Sequence, residues 1–235
     1  MEKGAAMTQT ALIIGATGGI GRALADALEA RGVHERVVRL SRRSDPAVDV
    51  CDEASITAAA AWLADAGATL RLVIDATGFL HDERFRPERA LAGIDPDHMA
   101  KAFAINATGP ALLMKHVLPL LPREGRSVFA TLSARVGSIG DNRLGGWHAY
   151  RASKAALNQL VRGAAIELGR KRREAICVAL HPGTVDTPLS RPFARSGLDV
   201  RSPDVAADEI LAVIDALTPA DSGGFFDHKG ERVAY

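Results

Sequence analysis

Tyr150 and Lys154 stand four residues apart in the run Tyr150-Arg151-Ala152-Ser153-Lys154. On a helix that spacing puts both side chains on one face. A phenol with an ordinary pKa near ~10 is a poor acid–base catalyst at neutral pH. An ammonium beside it favours the phenolate and draws the phenol toward its working range. The pair reads as a proton-transfer device. The spacing alone is common on amphipathic helices, so its weight depends on the rest of the chain.

The second candidate is the turn Gly15-Ala16-Thr17-Gly18-Gly19-Ile20-Gly21. An apolar run, Thr10 to Ile14, precedes it and a helical pattern, Arg22 to Arg31, follows. Glycine lets the backbone approach a ligand without a Cβ in the way. The start of the following helix offers free N–H groups and partial positive charge, which suit a pyrophosphate. A strand before and a helix after are the context of a dinucleotide site. The glycines fit both GxxxGxG and GxxGxxG, so the turn alone names no subfamily. The next strand ends Leu40-Ser41-Arg42-Arg43, with no acid until Asp45. An acid there binds the ribose 2′-hydroxyl of NAD, whereas arginine there accommodates the 2′-phosphate of NADP. The pattern favours NADP(H) over NAD(H), with Ser41 and Arg42 at the phosphate. Arg43 and Arg22 are further cations near it.

These residues need elements to carry them. Short apolar runs read as strands at Thr10–Ile14, Arg36–Leu40, Leu70–Ile74, Ser127–Leu132 and Ala175–Leu180. A last short strand is expected around Gly223–Phe226. Helical patterns fall at Arg22–Arg31, Ala54–Ala66, Pro96–Asn106, Gly109–Leu121, Trp147–Arg170 and Val205–Leu217. The third and fourth of these form one helix bent at Gly109-Pro110. Leu80 to Arg89 reads as a charged surface loop, and Trp62 as core. Strands alternating with helices build an α/β fold, a doubly wound parallel sheet with helices on both faces. One domain, with a core over about 10–228 and a flexible 1–8, is the simplest organisation. Ligands in such sheets sit beyond the carboxyl ends of the strands.

Composition narrows the class. The chain has 235 residues, 47% of them apolar and 24% charged, with net charge +1. That is ordinary globular usage, with no strong field to hold nucleic acid or an anionic membrane. Two cysteines, Cys51 and Cys177, make neither a disulfide framework nor a zinc site. Seven histidines show no HxxxH or HExxH spacing, so no metal site is expected. Met1 to Met7 hold no apolar run of signal-peptide length, and Pro110–Leu121 is too short to span a membrane. A cytoplasmic protein is expected.

With these motifs in order, the sequence resembles the short-chain dehydrogenase/reductase family from about Ala11 to Phe226. Gly15, Thr17, Gly18, Gly19, Ile20 and Gly21 look like its cofactor loop. Asp49-Val50 looks like its adenine-binding pair. Asp75-Ala76-Thr77-Gly78 stands where the family packs a segment beside the cofactor, so Ala76, Thr77 and Gly78 are expected there. Asn106 matches the asparagine that holds a water in the proton relay. Tyr150 and Lys154 match the catalytic pair. Pro182-Gly183, with Val185 and Thr187, matches the loop at the nicotinamide carboxamide. The carbonyl-orienting serine is assigned to Ser133, with Ser138 as competitor. Ala134 stands where many members carry a second serine. Runs such as Ser133-Ala134-Arg135-Val136-Gly137-Ser138 resemble the C-factor-like, small carbonyl-reductase branch.

The resemblance implies a single-domain Rossmann fold and hydride transfer between NADPH and an aldehyde or ketone, or the reverse alcohol oxidation. It also implies a homodimer or homotetramer through the helices Pro96–Leu121 and Trp147–Arg170. The segment Pro188–Asp199, with Arg191, Phe193 and Arg195, lies where members carry a substrate lid. Trp147 is placed equally well as a pocket wall or as loop packing. A second reading is an NADP(H)-binding signalling or sensor protein with little turnover, which the intact catalytic set disfavours. A third, a sugar-nucleotide epimerase, is disfavoured by the short stretch after Leu217.

Overall fold

The computed structural model describes residues 8–193 and 199–235. The strands, in chain order, are β1 (Thr8–Ile14), β2 (Arg36–Leu40), β3 (Ala68–Asp75), β4 (Ser127–Leu132), β5 (Ala175–His181), β6 (Thr184–Val185), β7 (Val200–Arg201) and β8 (Phe225–Asp227). Six of them form one sheet in the order β2-β1-β3-β4-β5-β8, every pair parallel, and β6 pairs with β7. Strand order reverses beside β1, so the crevice between the ends of β1 and β3 is the switch point where ligands collect. The expected flexible segment 1–8 lies outside the described residues except for Thr8, which opens β1.

Six α-helices carry the layers: α1 (Gly19–Arg31), α2 (Glu53–Asp65), α3 (Pro96–Phe103), α4 (Gly109–Val117), α5 (His148–Lys171) and α6 (Pro203–Ala216). Successive strand residues point to opposite faces. Ala11 and Ile13 pack with Leu24 and Leu28 of α1 and Ile210 and Ile214 of α6. Leu12 and Ile14 pack with Leu63 of α2, Leu113 of α4, and Leu157 and Val161 of α5. The sheet is covered on both sides, which is why β4 is buried along its whole length. Truncating a side chain such as Phe129 at the centre of this core would cost about 3–5 kcal/mol. Helix ends follow local chemistry. Asp52 and Asp95 accept first-turn amides of α2 and α3, and left-handed Gly32 closes α1.

The helices and strands fall where the sequence pattern puts them, with shifted ends. Three local expectations differ. The break before α4 is not a bend at Gly109-Pro110 but a π turn over Ala104–Thr108, in which Gly109 N–H donates to Ala104 O. An α-helical Asn106 carbonyl would accept from the amide four residues on. That residue is Pro110, which has none. The loop Leu80–Arg89 is only partly a surface loop, since Leu80, Phe85 and Glu88 are buried. Trp62 is half-buried at the edge of the core, with the Arg36 guanidinium 5.0 Å over its ring. Arg195 of the expected lid lies outside the described residues.

Candidate active site

The glycine turn is built by close backbone approach. Gly15 is left-handed, with φ +82°, and a Cβ on it would stand 3.0 Å from the Ala76 carbonyl carbon. A Cβ on Gly21 would stand 2.3 Å from Gly15 O. Gly15 and Ala16 amides donate to Leu40 O at 2.9 and 3.1 Å, which ties the turn to the end of β2. Gly18 stands at the N-cap of α1, with no side-chain cap and no acid in the first turn. The first N–H groups of α1 are thus left to an anion from outside. On the other side of the turn, a Cβ on Gly19 would meet Thr187 Cγ2 at 2.8 Å. The loop after β5 therefore touches the helix start, with Ile20, Pro182, Gly183, Val185 and Thr187 along one cavity wall.

At the end of β2 a cleft of about 390 Å³ opens between Ala16, Thr17, Arg22, Arg39, Ser41, Arg43 and Ser44. Arg39 is held by Asp26 at 2.6 Å and Glu29 at 2.7 Å. Among the described residues, Arg22 and Arg43 have no acidic partner. Arg42, the sequence candidate, does not line this cleft. The turn explains the exchange. Ser44 N donates to Ser41 O and Arg43 N donates to Ser41 Oγ, so neighbouring side chains leave the chain in different directions. Asp49 and Val50 lie farther along. Asp49 Oδ1 accepts from Cys51 N, and Val50 lies beneath Gly109.

Ala76, Thr77 and Gly78 line the switch point. Ala76 N donates to Ile14 O at 2.8 Å, and Thr77 donates to Asp75 Oδ1 through its amide and hydroxyl. Thr131 donates to Asp75 Oδ2. Burial raises the Asp75 carboxyl above its ordinary range, against these donors and the Lys154 ammonium. A Cβ on Gly78 would stand 3.7 Å from Asn106 Oδ1 and 3.8 Å from Lys154 Nζ, so this backbone faces both.

Helix α5 presents Tyr150 and Lys154 on one face. Lys154 is 2% exposed and its Nζ donates to Leu132 O at 2.8 Å. Burial pushes this lysine down to about 8, with Asp75 opposing the shift. Burial pushes the Tyr150 phenol up to about 12. The expected lowering of the phenol by Lys154 is thus not present. The ammonium is aimed at a backbone carbonyl, and desolvation dominates both groups. Asn106 is fully buried in the π turn. Its amide pairs with both backbone groups of Phe79 and donates to Ser153 Oγ, which donates to Tyr150 O. Ser133 lies on the wall of the cavity that holds Tyr150, while Ser138 does not line it and is bonded by Asp141 N. The Ser133 hydroxyl donates to Asn158 Oδ1 at 2.7 Å.

The cavity above Tyr150 holds about 510 Å³. Ala134, Val136, Leu144, Leu189 and Phe193 make much of its wall apolar. Trp147 lines it and meets Tyr150 and Phe193 edge-on, with centroids 6.2 and 5.3 Å apart. Trp147 is therefore a cavity wall. His181 also lines the cavity; burial and nearby cations push it down to about 4, so it is neutral. Among the described residues no three His, Cys, Asp or Glu side chains converge as a metal would need, and no helix is long and apolar enough to cross a membrane.

A short-chain dehydrogenase/reductase profile, described as enoyl-(acyl carrier protein) reductase, matches residues 15–206. The chain belongs to the short-chain dehydrogenase/reductase family. It is 39% identical to the C-signal protein of Myxococcus xanthus over 146 residues, 62% of this chain and 84% of that one. It is 32% identical to 1-hydroxy-2-glutathionyl-2-methyl-3-butene dehydrogenase of Rhodococcus sp. strain AD45 over 230 residues, 94% of this chain and 97% of the relative. The NADPH-bound carbonyl reductase from chicken fatty liver superposes with a TM-score of 0.85 at 27% identity, covering 98% of this chain and 100% of that one. The protein is an oxidoreductase of this family.

As a short-chain dehydrogenase/reductase, the chain adds residues that the motif pattern did not reveal. Asn158, four after Lys154 and buried, takes the Ser133 hydroxyl. Its helical spacing was the available signal. Glu88, from the loop before α3, bonds the first turn of α5, and nothing in its sequence context announces that.

Proposed function

We propose that the protein is an NADP(H)-dependent carbonyl reductase, acting on small aldehydes or ketones and on the corresponding alcohols in reverse. The observation that carries this reading is the cavity itself. It brings Tyr150 and Ser133 together with the Pro182–Thr187 wall, whose Thr187 meets the glycine turn at Gly19; a separate cleft at Ala16 and Thr17 of the same turn holds Arg22 and Arg43. The NADPH-bound neighbour from chicken liver supports the cofactor and the reaction class. The residues fit such a group: the turn admits no Cβ at Gly15 or Gly21, and two unpaired guanidinium groups sit where a 2′-phosphate would lie.

When bound, the nicotinamide supplies the hydride, and the protein supplies position and protons. Gly15, Thr17, Gly18, Gly19, Ile20 and Gly21 would hold the pyrophosphate; Ser41 and Arg43, with Arg22, would hold the 2′-phosphate; Asp49 and Val50 would flank the adenine. Ala76, Thr77 and Gly78 support the ribose side. Pro182, Gly183, Val185 and Thr187 hold the carboxamide end. Tyr150 gives its phenolic proton to the carbonyl oxygen. Lys154, which donates to Leu132 O in the fold, would bond the cofactor ribose and stabilise the phenolate that remains. Asn106, whose backbone carbonyl has no amide donor at Pro110, would anchor a water linking Lys154 to solvent. Ser133 orients the carbonyl by exchanging its bond to Asn158 for one to the substrate. NAD(H) is the weaker cofactor. The chain assembles as a homodimer or homotetramer through the helices over 96–121 and through α5, on which Leu160 and Ile166 are exposed.

Oxidation of NADPH and NADH at 340 nm against a panel of aldehydes and ketones tests this reading. Turnover is expected with NADPH in preference to NADH. The similarity to the C-signal protein supports a second reading, an NADP(H)-binding signalling protein. Tight NADPH binding without turnover on any carbonyl would favour it.

A further inference from the structure

The catalytic helix begins without a cap of its own. Trp147, at its N-cap, makes no side-chain capping bond, and no acid occupies the first turn. Trp147 is also left-handed, at φ +52°, the one non-glycine so placed among the described residues. The first amides of a helix need acceptors from elsewhere. Here Glu88 provides them. Its backbone carbonyl accepts from Trp147 N at 2.6 Å. Its carboxylate oxygens lie 3.3 and 3.2 Å from Ala149 N, the residue just before Tyr150. A Cβ on Gly146 would stand 3.2 Å from Glu88 O, so the loop is held close on this side too.

The Glu88 side chain is 2% exposed, and a carboxylate so placed is costly unless paired. His98 Nδ1 lies 3.3 Å from its Oε1. His98 is itself fixed, stacked on Phe85 at 5.0 Å and edge-on to Phe79 at 6.0 Å. Phe79 is the residue whose backbone holds the Asn106 amide. The cluster thus ties the start of α5 to the π turn on the other side of the site. Negative charge at a helix N-terminus is also electrostatically favoured.

We propose that Glu88, held in place by His98, is a positioning residue for Tyr150. It fixes the first turn of α5 and with it the direction of the phenol. The inference rests on the proposed role of Tyr150 in proton transfer, but its test does not depend on turnover. The chain has two tyrosines, Tyr150 and Tyr235. In a Tyr235→Phe background, alkaline titration followed at 295 nm reads Tyr150 alone.

Glu88→Gln retains an oxygen for Ala149 N and is expected to keep the midpoint near that of the parent. Glu88→Leu loses the acceptor. Its midpoint is expected to fall from about 12 toward the ordinary tyrosine value near ~10, as the ring loses its fixed position. On a carbonyl substrate, kcat is expected to drop about 10-fold or more in Glu88→Leu, with KM for NADPH unchanged and Glu88→Gln within about threefold. A folded Glu88→Leu protein with parental midpoint and kcat would overturn the proposal. If that variant does not fold, His98→Leu takes its place with the same readouts, and an unchanged midpoint there would overturn it equally. Wild-type protein without turnover would sink the reductase reading while the titration still decides this one.

Discussion

Replacing Arg43 by glutamine should weaken the hold on a 2′-phosphate and leave the rest of the cofactor site alone. The cleft at the end of β2 holds two guanidinium groups without acidic partners, Arg22 and Arg43, since Arg39 is consumed by Asp26 and Glu29. A hydrogen bond to a charged group contributes about 1.5–3 kcal/mol. Arg43 is exposed to solvent, so screening brings its share to about 1–2 kcal/mol. At tenfold per 1.4 kcal/mol, Kd for NADPH should rise about 5- to 30-fold. NADH carries only a neutral 2′-hydroxyl at this position, and its Kd should change by less than about twofold on the same reasoning. Fluorescence titration with each dinucleotide measures both without a substrate. Added salt should weaken NADPH binding more in the wild type than in the variant. Arg42→Gln is the control, because Arg42 does not line the cleft. An unchanged NADPH Kd in Arg43→Gln, or the full loss appearing in Arg42→Gln, would refute the assignment.

Gly21→Ala puts a methyl 2.3 Å from Gly15 O and 3.2 Å from Ala76 Cβ, and should abolish dinucleotide binding or folding as read by the same titration and by circular dichroism. Lys154 is pushed down to about 8 in the fold, so between about pH 8 and 10.5 the unfolded chain binds the extra proton and stability rises with pH. The gain is about 3 kcal/mol over that window, and urea unfolding should lose it in Lys154→Met. Tyr150 acts in the opposite sense. Its phenol is pushed up to about 12, so its contribution is complete below pH 10 and lost between pH 10 and 12, a loss that Tyr150→Phe should remove. The two thiols should separate under a disulfide reagent. Exposed Cys51 reacts in the native protein, whereas Cys177, buried and pushed up to about 12, reacts only after denaturation.

The fold was legible because its signals are local. Runs such as Leu12-Ile13-Ile14 and Val128-Phe129-Ala130, buried on both faces, read as central strands, and Gly15 and Gly21 mark the turn by a steric need that sequence can announce. The Tyr150–Lys154 face followed from helical spacing. What stayed hidden depends on direction and distance across the chain. Whether Arg42 or Arg43 enters the cleft is set by the Ser41–Ser44 turn. The opposed shifts of Tyr150 and Lys154 come from burial, which no four-residue spacing contains. The π turn at Asn106 needed Pro110 to be read as a missing donor rather than as a bend. Glu88 reaches α5 from 61 positions away, and only the folded chain brings them together.

The central claim is that Tyr150 delivers the proton to a carbonyl oxygen in the cavity beside Ser133. The most direct measurement is steady-state reduction of an aldehyde or ketone by NADPH in wild type and Tyr150→Phe, with NADPH Kd determined for both. The account predicts a loss in kcat of about 100-fold or more, the scale of general acid catalysis, with Kd for NADPH nearly unchanged. Equal kcat in the two proteins would contradict it.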